Sequence, residues 1–305
     1  MSVALVGVLL GLAMLTSAPA RADRLVPPSR IESPRGMALG TGAIASSAGT
    51  QAQADNPANL PVGGQYQIES FLAYDPTFHR FGVGGSVADS VTSRLAAGAS
   101  VRTVLGDNDA GKNKGWEGRV GLGFPIIEQL SIGIAARYAS FTVADTRSVP
   151  ERAPVDGEPI DQTFRLKGFT MDAALTLRPV PGLAISGLAY NIVNRKSPLA
   201  PLMVGGSAAF SVQGLTLGAD VLVDLNRHAY WDDGKMIAGG GLEYLAGGAV
   251  PLRVGFRHDT GRDQSAVTGG LGYVDARFGF MFSLRQTVSN GKETSLLFAA
   301  QFFIQ

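Results

Sequence analysis

Cysteine is absent from the chain, and histidine occurs only three times. Without thiols there is no disulfide scaffold, thiolate-held metal, cysteine nucleophile or lipidated N-terminal cysteine. Charge is scarce as well: Asp, Glu, Lys and Arg make up 17% of 305 residues, against about a quarter in ordinary domains. The two signs nearly cancel, at +1, which argues against a nucleic-acid partner and against a polybasic membrane-surface patch. Past the N-terminus no run approaches the 18 apolar residues that a transmembrane helix needs. Apolar content is nonetheless ordinary, at 45%, which excludes disorder, and glycine is abundant, with 40 residues.

The first segment reads as an address. Val3 to Leu15 is apolar and leads into Ala18-Pro19-Ala20-Arg21-Ala22, a small-x-small end. That pattern predicts a secretory signal peptide over residues 1–22, cut after Ala20 or Ala22. Arg21 and Asp23 end the run too early for a membrane anchor. Residues 23–62 then form an N-terminal extension, and residues 63–305 a body of a different character.

In that body the apolar residues recur at period 2. Leu215, Leu217, Ala219, Val221 and Val223 alternate with Thr216, Gly218, Asp220, Leu222 and Asp224. Leu252, Val254 and Phe256 face away from Arg253, Gly255 and Arg257, and Phe278, Phe280 and Phe282 from Gly279 and Ser283. Such alternation marks strands with one apolar and one polar face. Fourteen segments fit, near 66–75, 79–89, 94–105, 116–125, 129–144, 163–178, 183–193, 201–212, 215–226, 235–246, 251–259, 265–274, 277–288 and 294–304. Most exceed the usual strand length of about 5–6 residues. Alternate connections are short, such as Ile126 to Glu128 and Gln213-Gly214, while the others are longer and polar, such as 106–115 and 145–162. Short turns at one end and long loops at the other are how outer-membrane barrels are built. The fold class expected is therefore all-β, a transmembrane antiparallel β-barrel of about 14 strands, placed in the bacterial outer membrane after export.

In such a barrel the apolar parity meets lipid and the polar parity lines the lumen. The residues expected to line it are Arg94, Arg102, Arg119, Arg137, Asp172, Asp220, Asp224, Glu243, Arg253, Arg257 and Arg285. An outward arginine at the bilayer midplane would cost about 2–4 kcal/mol, which explains their shared parity.

Residues 33–62 do not alternate; they are small and turn-rich. The run Gly36-x-x-x-Gly40, then Gly42, ending in Asp55-Asn56-Pro57-Ala58-x-Leu60 just before the first strand, resembles the N-terminal hatch of the long-chain fatty-acid transporter (FadL-like) superfamily. PorV-like barrels of type IX secretion belong to the same superfamily. The resemblance implies fourteen strands, the number counted independently, and an N-terminal hatch segment folded into the lumen. Its hatch residues here would be Gly36, Gly40, Gly42, Asp55, Asn56, Pro57, Ala58 and Leu60. It also implies uptake of small hydrophobic, fatty-acid-like molecules through a plugged barrel. A ligand would leave sideways through a gap in the wall, for which Gly82, Gly84, Gly85 and Gly98 are the positions singled out. The alternative is a PorV-like barrel that carries nothing and serves as a scaffold for a secretion-machinery partner; the polar outer loops suit it. The other expected partners are outer-membrane lipid and a small hydrophobic ligand.

No chemistry competes with these readings. His79, His228 and His258 have no serine and acid at motif spacing, so no catalytic residues are assigned and the protein is read as a non-enzyme. Asp107-Asn108-Asp109-Ala110-Gly111 departs from a calcium loop at its fifth and twelfth positions, so neither a metal nor a cofactor is expected.

Overall fold

A computed structural model describes residues 32–304, apart from 78, 109–110, 146–161, 194, 196, 198, 227–234 and 290. The signal peptide expected over 1–22 and nearly all of the polar loop expected over 145–162 lie outside the described residues. Fourteen antiparallel strands follow one another. The first seven are β1 (Tyr66–Asp75), β2 (Arg80–Asp89), β3 (Ala96–Asn108), β4 (Gly111–Ile127), β5 (Leu130–Asp145), β6 (Gln162–Val180) and β7 (Leu183–Tyr190). The rest are β8 (Met203–Val212), β9 (Leu215–Asp224), β10 (Lys235–Ala246), β11 (Val250–Asp259), β12 (Gln264–Val274), β13 (Phe278–Thr287) and β14 (Thr294–Ile304). Each pairs with its neighbours in sequence, and β1 pairs with β14 from Tyr66↔Ile304 to Tyr74↔Leu296, closing the barrel. Closure pairs every strand on both sides over most of its length, as a sheet in hydrocarbon requires.

One connection differs from the sequence expectation. The polar stretch 106–115 is not a long loop: β3 and β4 continue outward as a ladder through Asp107↔Lys112 to Asn108↔Gly111. Polar residues signal a loop only where a strand must have an apolar side, and beyond the lipid a ribbon can be polar on both sides. The short-turn end is as expected. Gln213 and Gly214, with φ of 49° and 81°, form the two-residue turn between β8 and β9 whose twist suits a tight hairpin. Between β12 and β13 the amides of Arg277 (2.7 Å) and Phe278 (2.9 Å) donate to Asp275. They hold its carboxyl below the usual carboxylate range, so this turn loses their support only as pH falls through that lowered value.

The strands are apolar outside and polar inside. Val120, Val254 and Phe280 are 56%, 59% and 54% exposed on the outer wall, whereas Glu117 and Ser283 are fully buried within. Val120 sits midway along β4, with Ala99 and Ala136 beside it in the neighbouring strands. Its replacement by arginine is expected to cost about 2–4 kcal/mol. Unfolding titrations in lipid vesicles would show this, and a loss below 1 kcal/mol would place Val120 outside the hydrocarbon.

Residues 33–60 pack against the polar faces of the strands. Helix α1 (Pro34–Ala38) starts where the Ser33 hydroxyl accepts the Gly36 amide (2.9 Å), with Pro34 pre-set for the first turn. Helix α2 (Gly49–Asp55) ends at Asn56, whose side chain accepts the Ala58 amide (3.1 Å) and so starts a 3₁₀ turn, Pro57–Asn59. Both helices are too short to stand alone; the wall fixes them.

Candidate functional site

The inner wall of β3 to β6 is layered. Nearest the long-loop end an apolar row crosses the strands as Val104↔Gly115↔Phe141↔Leu166, and Val143 lies one inward position further along β5. Below it comes a charged belt. Arg102 faces Glu117 across the β3–β4 ladder (3.5 Å), and Arg137 reaches the same carboxylate (3.5 Å). Arg119 and Arg137 are directly opposed like charges, answered by Asp172 (3.1 Å from Arg119) and by the Asn191 side chain. Asp172 also accepts the Asn191 amide (2.8 Å). Below the belt are glycines. A Cβ at Gly98 would lie 2.7 Å from the Gln53 side-chain oxygen, and one at Gly123 2.5 Å from the Pro57 carbonyl. The wall is bare backbone there because α2 and the 3₁₀ turn lie directly on it.

The opposite wall has its own glycine floor. A Cβ at Gly239 would overlap the Gly40 carbonyl oxygen, and one at Gly218 that of Gly42. At Gly241, Gly255 and Gly270 it would come within 2.8, 2.5 and 2.6 Å of residues 38–40. Gly40 itself has a φ of +63°, where a side chain would be strained. Polar bonds complete the seating. The Ser283 hydroxyl donates to the Pro34 carbonyl (2.7 Å) and that of Thr268 to the Ala38 carbonyl (2.8 Å). The Ile44 amide donates to Asp220 (3.3 Å) and the Ala45 amide to the Ser207 hydroxyl (2.8 Å). The Asn56 side-chain amide faces three acceptors: the Ile44 carbonyl (3.2 Å), Thr176 (3.0 Å) and Ser186 (3.1 Å).

The arginines of β11 and β13 share carboxylates with one another or with α1. Glu243 lies between Arg35 of α1 (3.0 Å) and Arg253 (2.5 Å), while Glu32 bridges Arg257 (2.6 Å) and Arg285. Asp224, at the end of β9, accepts the Asn226 amide (2.8 Å) and holds the chain's exit from the strand. Gly36, Asp55, Asn56, Pro57, Ala58 and Leu60 are all buried, and Asp55 accepts the Ser33 hydroxyl.

Two expectations are corrected. Arg94 does not line the lumen: β3 begins only at Ala96, and Arg94 is exposed in the preceding turn. It donates there to the Pro125 carbonyl (3.2 Å), with its guanidinium 5.5 Å from the Phe124 ring centre. The glycines read as a wall gap lie in unbroken ladder, Gly82↔Val104, Gly84↔Arg102, Gly85↔Val101 and Ala88↔Gly98. Gly84 instead makes room inside for the Phe71 ring, and Gly98 for Gln53 and Leu60. The ladder does stop early elsewhere. β7 pairs with β6 only from Ala173↔Ala189 toward the short-turn end, so the stretch of β6 before Ala173 has no β7 partner.

The parity rule does not reach Ser33, Arg35, Gln53 or Asn59, which belong to the non-alternating segment. Glu69 did alternate, opposite Ile68 and Ser70, but was not singled out; it accepts from Thr50 (3.2 Å) and from Gln301. His258 pairs with Ser265 (3.0 Å) across β11 and β12.

A closed fourteen-stranded barrel with an apolar exterior and a polar interior is a transmembrane barrel of the bacterial outer membrane. No described protein family and no curated protein sequence matches the chain. Solved structures do. The toluene transporter TbuX of Ralstonia pickettii is 15% identical over 92% of this chain and 100% of its own, with a TM-score of 0.64. A Pseudomonas aeruginosa FadL homologue is 11% identical over 92% and 99%, at 0.62, and the P. putida toluene transporter TodX 12% identical over 90% and 98%, at 0.55. Identities this low establish a shared architecture: the chain has the FadL-type barrel fold.

Proposed function

We propose that the protein admits small hydrophobic molecules across the outer membrane, with residues 33–62 acting as the hatch. The observation that carries this reading is the apolar row of Val104, Phe141 and Leu166 at the long-loop end of the inner wall, above the charged belt, where no residue of 33–60 packs on it in the way Ile44 and Ala58 cover Leu188, Met203 and Leu222. A pore for hydrophilic solutes has no use for apolar side chains facing its lumen, since water wets them poorly. The toluene transporters that share the fold support the same reading. An apolar molecule entering from the long-loop end meets this row first, and the charged belt and the seated segment then oppose straight passage. The sideways route that suits it is the seam between β6 and β7 above Ala173↔Ala189, where among the described residues the Ile192 amide to the Met171 carbonyl (2.7 Å) is the backbone bond that spans it. Such a molecule is an uncharged hydrocarbon or the apolar part of a fatty-acid-like substrate.

Hydrocarbons cross plain phospholipid vesicles unaided, so the test needs vesicles with a lipopolysaccharide outer leaflet. Vesicles carrying the protein should accumulate labelled toluene or octanoate faster than empty ones. Asn56→Leu, which removes the amide bonds to Thr176 and Ser186, should change that rate. Uptake equal to that of empty vesicles across an aromatic and alkyl panel rules the transport reading out. No described surface singles out the scaffold reading; a stoichiometric protein recovered with the barrel from outer membranes would revive it.

A further inference from the structure

Leu199 and Ala200, in the connection between β7 and β8, are fully buried against the same apolar row. They form one cluster with Val104, Ala139, Phe141, Val143 and Leu166. We propose that this cluster is the ligand-binding site of the barrel, and that Leu199 occupies it as a tethered stand-in which an incoming ligand displaces. The inference rests on the transport reading above and names its first binding site.

Three observations point there. The first is position: Val104, Phe141, Val143 and Leu166 face the lumen at the long-loop end, above the Arg102–Glu117–Arg137 belt in whose row Ala139 lies, whereas the rows of β3 to β6 below are charged or small. The second is the way the occupant is attached. The described residues of the connection do not join the sheet as a strand, and their ties to the wall are few. The Ile192 amide donates to the Met171 carbonyl (2.7 Å), and the Arg195 guanidinium to the Phe169 carbonyl (2.9 Å). Asn191 donates from its amide to Asp172, accepts from Arg137 and donates from its side chain to the Pro201 carbonyl (2.6 Å), and the Leu202 carbonyl accepts the Leu225 amide (2.9 Å). None of these bonds involves Leu199 or Ala200, whose amides donate to Ser197 of the same connection (3.3 and 3.0 Å) and whose side chains are free of polar ties. Those two residues are held by apolar contact, which another apolar group can replace without leaving a buried polar atom unpaired.

The third is chemistry. The lining is aliphatic plus one phenyl ring, so the part of a ligand that it encloses is uncharged, and any polar head would have to reach the belt below. The Arg102 guanidinium sits 5.7 Å from the Phe141 ring centre, on the face of an aromatic group, and a second ring beside it would share that field. The ligand class is therefore a small hydrocarbon with a single ring or a short branched chain, about the bulk of the side chains it replaces. Departure of Leu199 would also free the stretch of β6 before Ala173 that no β7 residue pairs, so binding and opening of that seam become one event.

Two measurements in lipid nanodiscs test the site, with toluene as the probe and empty discs subtracted. Removing the competitor with Leu199→Ala should tighten toluene binding roughly tenfold, because the wild-type site is open only a small fraction of the time. The chain has no cysteine, so Leu199→Cys supplies a single thiol whose size suits the buried position. Toluene should raise its rate of labelling by a water-soluble maleimide by about the same factor. An affinity unchanged by Leu199→Ala, or a labelling rate that toluene leaves unchanged, overturns the proposal. Failure of the transport reading looks different: toluene would still expose the Leu199→Cys thiol, yet lipopolysaccharide vesicles would take up nothing.

Discussion

Gly239→Leu is expected to unseat residues 38–42 and turn a closed barrel into a conducting one. Planar-bilayer recordings should show stepwise ionic currents from the variant where the parent shows none. The cause is steric: any side chain at position 239 overlaps the Gly40 carbonyl. Neither partner can retreat cheaply. β10 is held in ladder by β9 and β11 on both sides, and the Gly42 carbonyl already rests on Gly218. Overpacking of this kind costs typically about 1–3 kcal/mol, and it falls on a segment that makes no ladder bonds of its own. Gly269→Ala is the control. That glycine meets nothing closer than the Arg253 carbonyl at 3.6 Å, so the variant should stay closed and melt with the parent. A silent Gly239→Leu barrel would mean that residues 38–42 do not seal the lumen.

The wall was legible because lipid and lumen impose opposite demands on alternate residues. Leu217, Ala219 and Val221 point to lipid and Thr216 and Asp220 inward, so the period alone located β9 to within a residue or two. The same parity put Arg102, Arg119 and Arg137 on one face. Their partners were not legible, since Arg35 and Glu243 are 208 positions apart and nothing in a period-2 pattern sets the register of a non-alternating segment against a wall. The glycines show this most clearly. A glycine in a strand signals close approach or weakness, and the sequence does not say which. Gly98 is a candidate for a wall gap by sequence, yet Gln53 and Leu60 lie against it, and it is a seat. Arg94 misled for a simpler reason. The Asp89 carboxylate accepts the amides of Val91 and Thr92, each at 3.0 Å, and keeps the chain in a turn past the point where the sequence alternation resumes.

Loss of the Glu243 carboxylate is expected to destabilise the protein strongly. It is the anion between two guanidiniums, that of Arg35 on α1 and that of Arg253 on β11. Glu243→Leu leaves both cations facing each other in a space where Arg35 and Arg253 are 7% and 5% exposed. Removing one member of a buried pair costs about 3–5 kcal/mol, most of it the penalty of the charges left behind. The same logic predicts that a second loss restores part of the first. Arg35→Met in the Glu243→Leu background removes one stranded cation, so the double variant should be more stable than Glu243→Leu alone, although Arg35 also gives up its bonds to the Ser46 hydroxyl and carbonyl. A double-mutant cycle in urea, with the barrel in lipid vesicles, measures this directly. Strong non-additivity means that α1 is anchored electrostatically to β10 and β11. Additive losses would mean that the glycine floor and the Thr268 and Ser283 hydroxyls hold α1 by themselves, and that the paired charges only fill the lumen.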